Sequence, residues 1–342
     1  MTSLPLVELH LHLEGTLEPD FIIRTAAKNG VALPWSSVEE LRAQYEFSDL
    51  QSFLDLYYAN LEVLRERVDF RDMTAAYLQR AQQAGVRHAE VSVDLQVHTS
   101  RGIPSEVVLG GIRDALDESD ERYGISTRLL VSFLRDRPPA EAAVLLDELI
   151  AIGARFDGIG LDSAEADYPP RLFASVYETA RRHGLHLVAH AGEEGPAAYV
   201  EEALDVLHVE RIDHGNRSLE DDALVARLVR DRVPLTVCPL SNVRLRVVDR
   251  MGQHPLPRML EHGLNVSVHS EDPAYFGGYV DDNIDGIRTD LGLSADQLET
   301  LARNAVDSAF VGEPRKAELH REIDEWAAQY EAPAHLKLGS NS

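Results

Sequence analysis

The chain is poor in cysteine, in lysine and in long apolar runs. One cysteine, Cys238, among 342 residues excludes an intramolecular disulfide framework and argues against a cysteine-ligated zinc site. Only three lysines occur, Lys28, Lys316 and Lys337. No uncharged run approaches the roughly 18 to 20 residues of a membrane span, and no basic segment followed by an apolar stretch opens the chain. These absences predict a cytoplasmic protein that is neither secreted nor inserted into a membrane.

Negative charge dominates the residues that are present. The chain has 58 acidic and 33 basic residues, which gives a formal net charge of -25. Such a surface repels phosphate backbones and anionic lipids unless a basic patch compensates, and the arginines are scattered among acids. We therefore expect a small-molecule partner and neither nucleic acid nor membrane. The composition leaves a homo-oligomer open.

Strand and helix patterns alternate along most of the chain. Eight short strand patterns occur, and a helical pattern precedes each of the last seven, which predicts a parallel sheet closed as a (β/α)₈ TIM barrel. A doubly wound open sheet would usually bring a glycine-rich phosphate turn after its first strand, and residues 13–17 contain none. The predicted strands after the opening stretch cover residues 88–95, 127–134, 158–162, 186–191, 211–214, 234–238 and 265–269.

The helical patterns also predict two additions to the barrel. A helical insertion is expected over residues 17–84 and extra C-terminal helices over 282–331, all within one domain of residues 1–342. Pro333 and residues 339–342 predict a frayed tail. Within the insertion, helices are predicted over residues 19–29, 37–45, 50–67 and 70–84.

The opening stretch, residues 7–15, alternates apolar and polar residues. Side chains two residues apart on a strand point to one side, so His10 and His12 would face the same space, with Glu14 following them. Two imidazoles that converge on one point are typical of half a metal site. Taken alone, the pattern also fits a half-buried strand with a wet polar face.

Three other predicted strands also end in imidazole or carboxylate groups. In such barrels catalytic residues lie at the C-terminal ends of the strands, so four polar strand ends indicate one site. Three imidazoles and a carboxylate suit Zn²⁺ and leave a position for water, whose pKa falls to about 7. Barrel hydrolases with two metal ions often bridge them with a carboxylated lysine on the fourth strand. No lysine occurs between Lys28 and Lys316, so this bridge cannot form and one ion per chain is predicted. The polar groups of these three strand ends are His190, Glu193, Asp213, His214, His269, Glu271 and Asp272.

Four motifs of the chain resemble those of the adenosine and adenine deaminase family of metal-dependent barrel hydrolases, in the amidohydrolase superfamily. Their order matches the family along nearly the whole chain. They are His10-x-His12, His190-Ala-Gly-Glu193, Asp213-His214-Gly and Ser270-Glu271-Asp272-Pro. The resemblance implies that His10, His12 and His190 bind zinc. It implies Glu271 as the fourth protein ligand, although the family usually has the shorter aspartate there.

The same resemblance implies roles around the purine ring. Glu193 would donate a proton to purine N1, His214 would orient and deprotonate the attacking water, and Asp272 would hold N7. Protonation at N1 makes the poor electrophile C6 a good one, and a positioned acid typically gives about 10² to 10⁴-fold. Hydroxide then adds to C6 and ammonia leaves.

The substrate is predicted from further stretches. Residues 236–242 and 273–279 resemble the adenine deaminase branch more closely than the nucleoside branch. Ser163 stands where the adenosine branch commonly has glycine at the purine N3 edge. A serine there takes up space near N9 and would favour a free base, although a hydroxyl that caps a turn explains the serine equally well. Glu14 is predicted to bind substrate. The resemblance thus implies zinc-dependent deamination of adenine to hypoxanthine and ammonia, a purine salvage reaction.

Several alternatives stay open from the sequence. Leu95 replaces a proline that is usual in the family, so adenosine, an N6-substituted adenine, another aminopurine or a modified adenine nucleoside could be the substrate. A catalytically silent purine-binding barrel and a mononuclear amide or ester hydrolase are the other classes. His88-Ala-Glu90 matches half of a cytidine-type zinc motif, but that fold also needs two cysteines, so we interpret both as strand residues.

Overall fold

Eight parallel strands form one sheet in the order of the chain, β1 to β8. The computed structural model describes residues 4–331, and the tail predicted at Pro333 and residues 339–342 lies outside them. The barrel closes beyond β8, where the Glu271 N–H donates to the His10 carbonyl and the His12 N–H donates to the Glu271 carbonyl. The predicted (β/α)₈ barrel is confirmed. The strands are β1 (Leu6–Glu8), β2 (Val86–Val93), β3 (Ser126–Leu134), β4 (Gly158–Asp162), β5 (His186–Ala191), β6 (Arg211–His214), β7 (Pro234–Val237) and β8 (Asn265–Val268).

Four helices lie between β1 and β2, as the predicted insertion requires. The predicted helix over residues 50–67 is wrong, because it ends at Leu61 and a new helix begins at Arg67. The chain turns between them because the Asn29 amide donates to the Val63 carbonyl at 2.8 Å and Asp69 accepts from the N–H of Arg65 and of Glu66. The insertion helices are α1 (Pro19–Asn29), α2 (Val38–Arg42), α3 (Leu50–Leu61) and α4 (Arg67–Ala84).

The helices of the barrel itself connect successive strands. Two of the connections between strands contain a turn that is not α-helical. One begins with a 3₁₀ turn over Pro170–Phe173, and the other ends with a π-helical turn over Ala203–Leu207. The barrel helices are α5 (Leu95–Thr99), α6 (Ser105–Leu116), α7 (Ser119–Tyr123), α8 (Pro139–Ala151), α9 (Ala174–Arg182), α10 (Ala197–Glu202), α11 (Asp222–Asp231), α12 (Pro239–Arg244) and α13 (Leu256–Glu261). Further 3₁₀ turns cover Glu14–Thr16, Asn216–Glu220 and Met251–Gln253.

The C-terminal helices pack against the first strand. Val7 and Leu9 are buried in a small apolar cluster with residues of the last two helices, Val306, Leu319 and Ile323 among them. The extra helices predicted at this end are therefore present and cover the β1 side of the barrel. They are α14 (Pro273–Phe276), α15 (Val280–Asp290), α16 (Ala295–Ser308) and α17 (Glu313–Glu331). Within residues 4–331, no helix is both long and apolar enough to cross a membrane.

The end of the barrel opposite the strand C-termini contains a buried ion pair. Arg211, the first residue of β6, donates from Nη1 to Glu90 Oε2 at 2.9 Å. The other Glu90 oxygen accepts from the Phe310 N–H and lies 3.2 Å from His88 Nε2. His88 and Glu90 are both residues of β2, as the sequence predicted. They fill the barrel interior as a neutralised structural group.

Candidate active site

The segment after β1 brings two histidines to the C-terminal end of the barrel. Regular pairing of β1 ends at Glu8, but Leu11 still bridges to Glu271 and His12 to Ser92. The rings of His10 and His12 lie 5.7 Å apart, and the ring of His190 lies 4.6 Å and 5.3 Å from them. All three predicted zinc ligands therefore meet in one buried cluster.

The largest group of potential ligand atoms in the described residues has four members and includes His214. His10 Nε2 and His190 Nε2 are 3.1 Å apart, and Glu271 Oε1 lies 3.7 Å from each. His214 Nε2 lies 3.1 Å from the same Glu271 oxygen. His12 belongs to an adjacent group with Glu271 and Asp272. The structure thus divides the predicted ligand set between two groups that share Glu271, and it places the predicted water-orienting His214 within the first.

The donor set fits a metal ion. His10 Nδ1 lies 3.1 Å from the Thr236 carbonyl oxygen, which can only accept, so Nδ1 carries the hydrogen and Nε2 has a free lone pair. Two such imidazole nitrogens at 3.1 Å repel unless a cation or a proton lies between them. Glu271 Oε2 and His190 Nδ1 are also buried without a hydrogen bond in the described part of the chain. Because buried polar atoms are normally satisfied, these atoms are suited to bind a cation.

Glu271 reaches the imidazoles although it is longer than the usual aspartate. Its φ of 60° is in the left-handed region, and its peptide is fixed by the hydrogen bonds to the His10 and His12 backbones. Burial opposes the charge on this carboxylate, but His214 and His190 hold the pKa of Glu271 well below its usual value. An ionised carboxylate is the form that binds a metal.

Asp213 supports the imidazoles from behind. It is buried, accepts from the Thr236 hydroxyl at 2.6 Å, and lies 3.6 Å from His190 Nδ1 and 3.9 Å from His10 Nδ1. Burial opposes its ionisation, but His10 and His190 lower the pKa of Asp213 to about 2. A carboxylate beside Nδ1 orients a ligating imidazole and raises its basicity.

Glu193 and His214 face each other beside this cluster. Glu193 Oε2 lies 3.4 Å from His214 Nε2, and both residues are buried. Burial raises the pKa of Glu193 to about 8, so its carboxyl group holds a proton at neutral pH. Burial disfavours the charged form of His214, but Glu193 and Glu271 outweigh it and raise the pKa of His214 to about 10. Both groups therefore hold a proton at neutral pH and lie side by side next to the cavity.

A cavity opens beside Glu193 and is lined by carboxylates. Asp94, Asp162, Asp272 and Ser163 line it together with His12, His190, Glu193 and Glu271. The Asp94 Oδ1, both Asp162 carboxylate oxygens and Asp272 Oδ1 accept no hydrogen bond within residues 4–331. Burial raises the pKa of Asp94 and of Asp272 well above the usual value. The lining can therefore both donate and accept hydrogen bonds.

Helix α3 of the insertion forms the roof of this cavity. Phe53, Tyr57 and Tyr58 line it, and the Tyr58 hydroxyl lies 3.1 Å from the Ser163 hydroxyl. Sequence reasoning missed these aromatic residues, because the helical pattern does not reveal which way an inserted helix packs. It also assigned no role to Asp94 and Asp162, although both stand at strand ends, the signal that found the other residues.

Glu14 does not line the cavity. It is fully buried, and its Oε1 accepts from the Asp94 N–H at 3.1 Å and lies 2.9 Å from His98 Nε2. Its other oxygen has no hydrogen bond in the described chain. The structure thus places Glu14 behind Asp94, where it supports the loop after β2.

Comparison with known proteins agrees with this geometry. Residues 5–326 match the family model described as adenosine deaminase. The chain is 56% identical over 311 residues to an adenine deaminase of Streptomyces coelicolor, covering 91% of this chain and 92% of that one. A second relative, an adenine deaminase of Rhodospirillum rubrum, is 50% identical over 321 residues, which are 94% of this chain and 96% of the relative.

Solved structures give the same result. The crystal structure of an adenine deaminase from Arthrobacter aurescens has a TM-score of 0.95 and 56% identity, and the match covers 95% of this chain and 100% of that chain. An amidohydrolase from Burkholderia ambifaria, solved with bound zinc, has a TM-score of 0.88 and 29% identity over 96% and 93% of the two chains. The resemblance predicted from the four motifs is confirmed. The chain belongs to the adenosine deaminase family of metal-dependent barrel hydrolases.

Proposed function

We propose that this protein hydrolyses adenine to hypoxanthine and ammonia. The observation that carries the proposal is the meeting of a buried imidazole and carboxylate group with a buried acid, Glu193, at one cavity. The names of relatives that are 50% to 56% identical over nine-tenths of the chain support adenine as the substrate. A small cavity roofed by aromatic rings suits a flat base.

We propose Zn²⁺ as the ion, one per chain, held by His10, His12, His190 and Glu271. The unpaired imidazole nitrogens and the ionised carboxylate support this set, and a solved relative contains zinc. When bound, zinc supplies a water whose pKa is near 7. His12→Ala should lose both zinc and turnover, as metal analysis and an ammonia assay would measure. Full zinc content in His12→Ala would instead favour His214 as the third imidazole, because His214 lies in one group with His10, His190 and Glu271.

The side chains around the cavity divide the proton transfers. Glu193, protonated at neutral pH, donates to N1 of the ring and so makes C6 electrophilic. A cation bound beside His214 would oppose the charge of its imidazole, so that His214 can accept a proton from the water it orients and pass it to the amino group, which leaves as ammonia. The proton left on the C6 oxygen returns to Glu193. Asp272, whose Oδ1 has no hydrogen bond in the described residues, holds N7. The ring gains an oxygen at C6 and loses nitrogen, with no change of oxidation state.

Ser163 supports a free base over a nucleoside. Its φ is 70°, and its hydroxyl lies beneath Tyr58 at the cavity wall, where a sugar on N9 would need space. Ser163→Gly should raise the activity on adenosine relative to adenine by roughly 10-fold, the scale of pocket-size effects. An unchanged ratio of kcat/KM values would remove the support for this role. Binding of substrate by Glu14 stays a prediction, and in this structure Glu14 acts through Asp94.

An ammonia-release screen of the zinc-loaded protein tests the proposal. Adenine, N6-methyladenine, adenosine and guanine are compared at equal concentration, and adenine should give the highest kcat/KM. Tight adenine binding without ammonia would favour the silent purine-binding barrel, and a faster reaction of N6-methyladenine or adenosine would make that compound the substrate. The single domain, the small-molecule partner and the absence of nucleic-acid binding stay predictions, and a homo-oligomer remains open.

A further inference from the structure

The turn that carries Glu193 is bound by a second glutamate, Glu165. This residue lies in the loop after β4 and is 1% exposed. Its carboxylate accepts four hydrogen bonds from consecutive backbone N–H groups of residues 192–195. Gly192 donates to Oε1 at 2.7 Å, and Glu193, Glu194 and Gly195 donate to Oε2 at 3.0, 2.9 and 2.8 Å.

Such an arrangement fixes the main chain strongly. Hydrogen bonds to an ionised acceptor are roughly twice as strong as neutral ones, and successive N–H groups that converge form an anion-binding nest. The turn is also closely packed, because a Cβ added at Gly195 would lie 2.5 Å from both the Glu165 carboxylate and the Tyr199 ring. The backbone at Glu193 is therefore held by a buried side chain from the loop after the neighbouring strand β4.

A buried arginine holds the same segment from the other side. Arg135, which follows β3, is fully buried and donates from Nη1 to the His190 carbonyl at 2.8 Å. Its Nε donates to the Tyr168 carbonyl in the loop that contains Glu165. The guanidinium thus ties the loop after β4 to the end of β5 and places a positive charge near the buried Glu165.

The Glu193 side chain itself has only weak contacts. Its Oε1 lies 3.5 Å from Asn242 Nδ2, and its Oε2 lies 3.4 Å from His214 Nε2. Both distances are long for a hydrogen bond, so these contacts do not fix the carboxyl group. The position of this group therefore depends on the main chain that Glu165 holds.

We infer that Glu165 is a positioning residue for the proton transfer, because it fixes the backbone from which Glu193 reaches the substrate ring. This rests on the proposed function, in which Glu193 is the proton donor. A displacement of about 1 Å in such a group can cost on the order of 10²-fold in rate. Substrate binding depends on other walls of the cavity, so the effect falls on kcat.

Glu165→Gln tests this directly. The variant keeps the size of the side chain but sets an amide NH₂ against N–H donors, so the turn loses part of its acceptor. We expect kcat for adenine to fall roughly 10- to 100-fold with little change in KM, while zinc content stays at the wild-type level. Glu178→Gln, an exposed glutamate on α9, is the matched control and should behave as wild type.

A double-mutant cycle separates positioning from a general structural effect. Glu165→Gln should reduce kcat strongly in the wild-type background and hardly at all in the Glu193→Gln background, because a donor that is absent cannot be misplaced. Equal reductions in both backgrounds would overturn the inference, as would wild-type kcat in folded Glu165→Gln. Wild-type kcat in Glu193→Gln would instead contradict the proposed role of Glu193, so the two failures are distinguishable.

Gly195→Ala provides a second perturbation of the same contact if Glu165→Gln does not fold. The added methyl group pushes against the Glu165 carboxylate and the Tyr199 ring, each at 2.5 Å, while every titratable group remains. Tyr199→Leu is the control for the contact with the ring and should keep wild-type kcat. A lower kcat with unchanged zinc content and the same dependence on Glu193 is expected. A folded Gly195→Ala with wild-type kcat would overturn the inference.

Discussion

The two ends of the barrel bury charge in opposite ways. At the N-terminal end, Glu90 is matched by Arg211 and both of its oxygens have partners. At the C-terminal end, Asp94, Asp162 and Asp272 crowd around one cavity, and several of their oxygens have no donor among the described residues. The first arrangement stabilises the fold, whereas the second costs stability, as is common at functional sites. Substitutions at the two ends should therefore affect different measurements.

The largest effect is expected at the C-terminal end, from Glu193→Gln. The amide has no acidic proton for N1, so kcat should fall by about 10² to 10⁴-fold. Zinc content and the melting temperature should stay at wild-type levels, because the variant keeps the shape of the side chain. A steady-state ammonia assay and metal analysis measure both quantities, and a near wild-type kcat would contradict the donor role.

Arg211→Met should have the largest effect on stability. It leaves the Glu90 carboxylate buried without its cation, a change that typically costs about 3 to 5 kcal/mol. Adding Glu90→Gln to this variant should recover much of the loss, since the unpaired charge is then removed. Arg155→Met, which breaks an exposed pair with Asp117, is the control and should change the free energy of unfolding little. Urea unfolding measures the free energy of unfolding of all three variants. Equal losses in Arg211→Met and Arg155→Met would contradict the stabilising role of the buried ion pair.

The same ion pair predicts a loss of stability in acid. Burial opposes the charge on Glu90, but Arg211 and His88 lower the pKa of Glu90 to about 2. Because this folded-state pKa is below the unfolded value of about 4.3, its stabilisation is present above that value and is lost as pH falls toward 2. The difference in unfolding free energy between wild type and Glu90→Gln should therefore shrink from pH 6 to pH 3. A constant difference would show that the charge does not contribute.

Asp94→Asn should give the smallest effect, with the opposite sign. It removes one carboxyl from a crowded buried group, so the free energy of unfolding should rise by about 0.5 to 2 kcal/mol. Activity on adenine should fall, because the residue lines the cavity. Loss of stability in Asp94→Asn would show that the C-terminal end is satisfied as it stands, and the contrast between the two ends would disappear.

Much of the fold and of the site was predictable from the sequence, because the patterns that indicate them lie within single elements or recur along the chain. The alternation of strands and helices predicted the barrel, and polar strand ends predicted one site with His10, His12, His190 and Glu271 as ligands. That His214 shares a group with three of them, and His12 lies in the adjacent group, was not predicted. The chain break at residues 62–66 was not predictable, since a distant side chain, that of Asn29, satisfies the turn. The position of α3 over the cavity and the hydrogen bonds of Glu165 to residues 192–195 depend on contacts between elements. A linear sequence pattern does not contain such contacts.

Two further details of the site could not be predicted from the alternation of polar and apolar residues. The sequence predicted both histidines of the opening stretch on one regular strand, yet β1 ends at Glu8 and the peptide of Glu271 takes over the pairing. Glu14 continues the polar alternation, but the chain turns into a 3₁₀ helix there and directs its carboxylate to His98. Alternation predicts direction only while the backbone remains extended.

Glu271 joins two properties that most barrels keep separate. Its peptide completes the circumference of the barrel between the first and last strands, and its carboxylate lies among the imidazoles. An insertion or deletion of one residue next to it would change the circumference and the ligand geometry in the same step. The length of the chain between β8 and α14 therefore sets both the closure of the barrel and the position of this carboxylate.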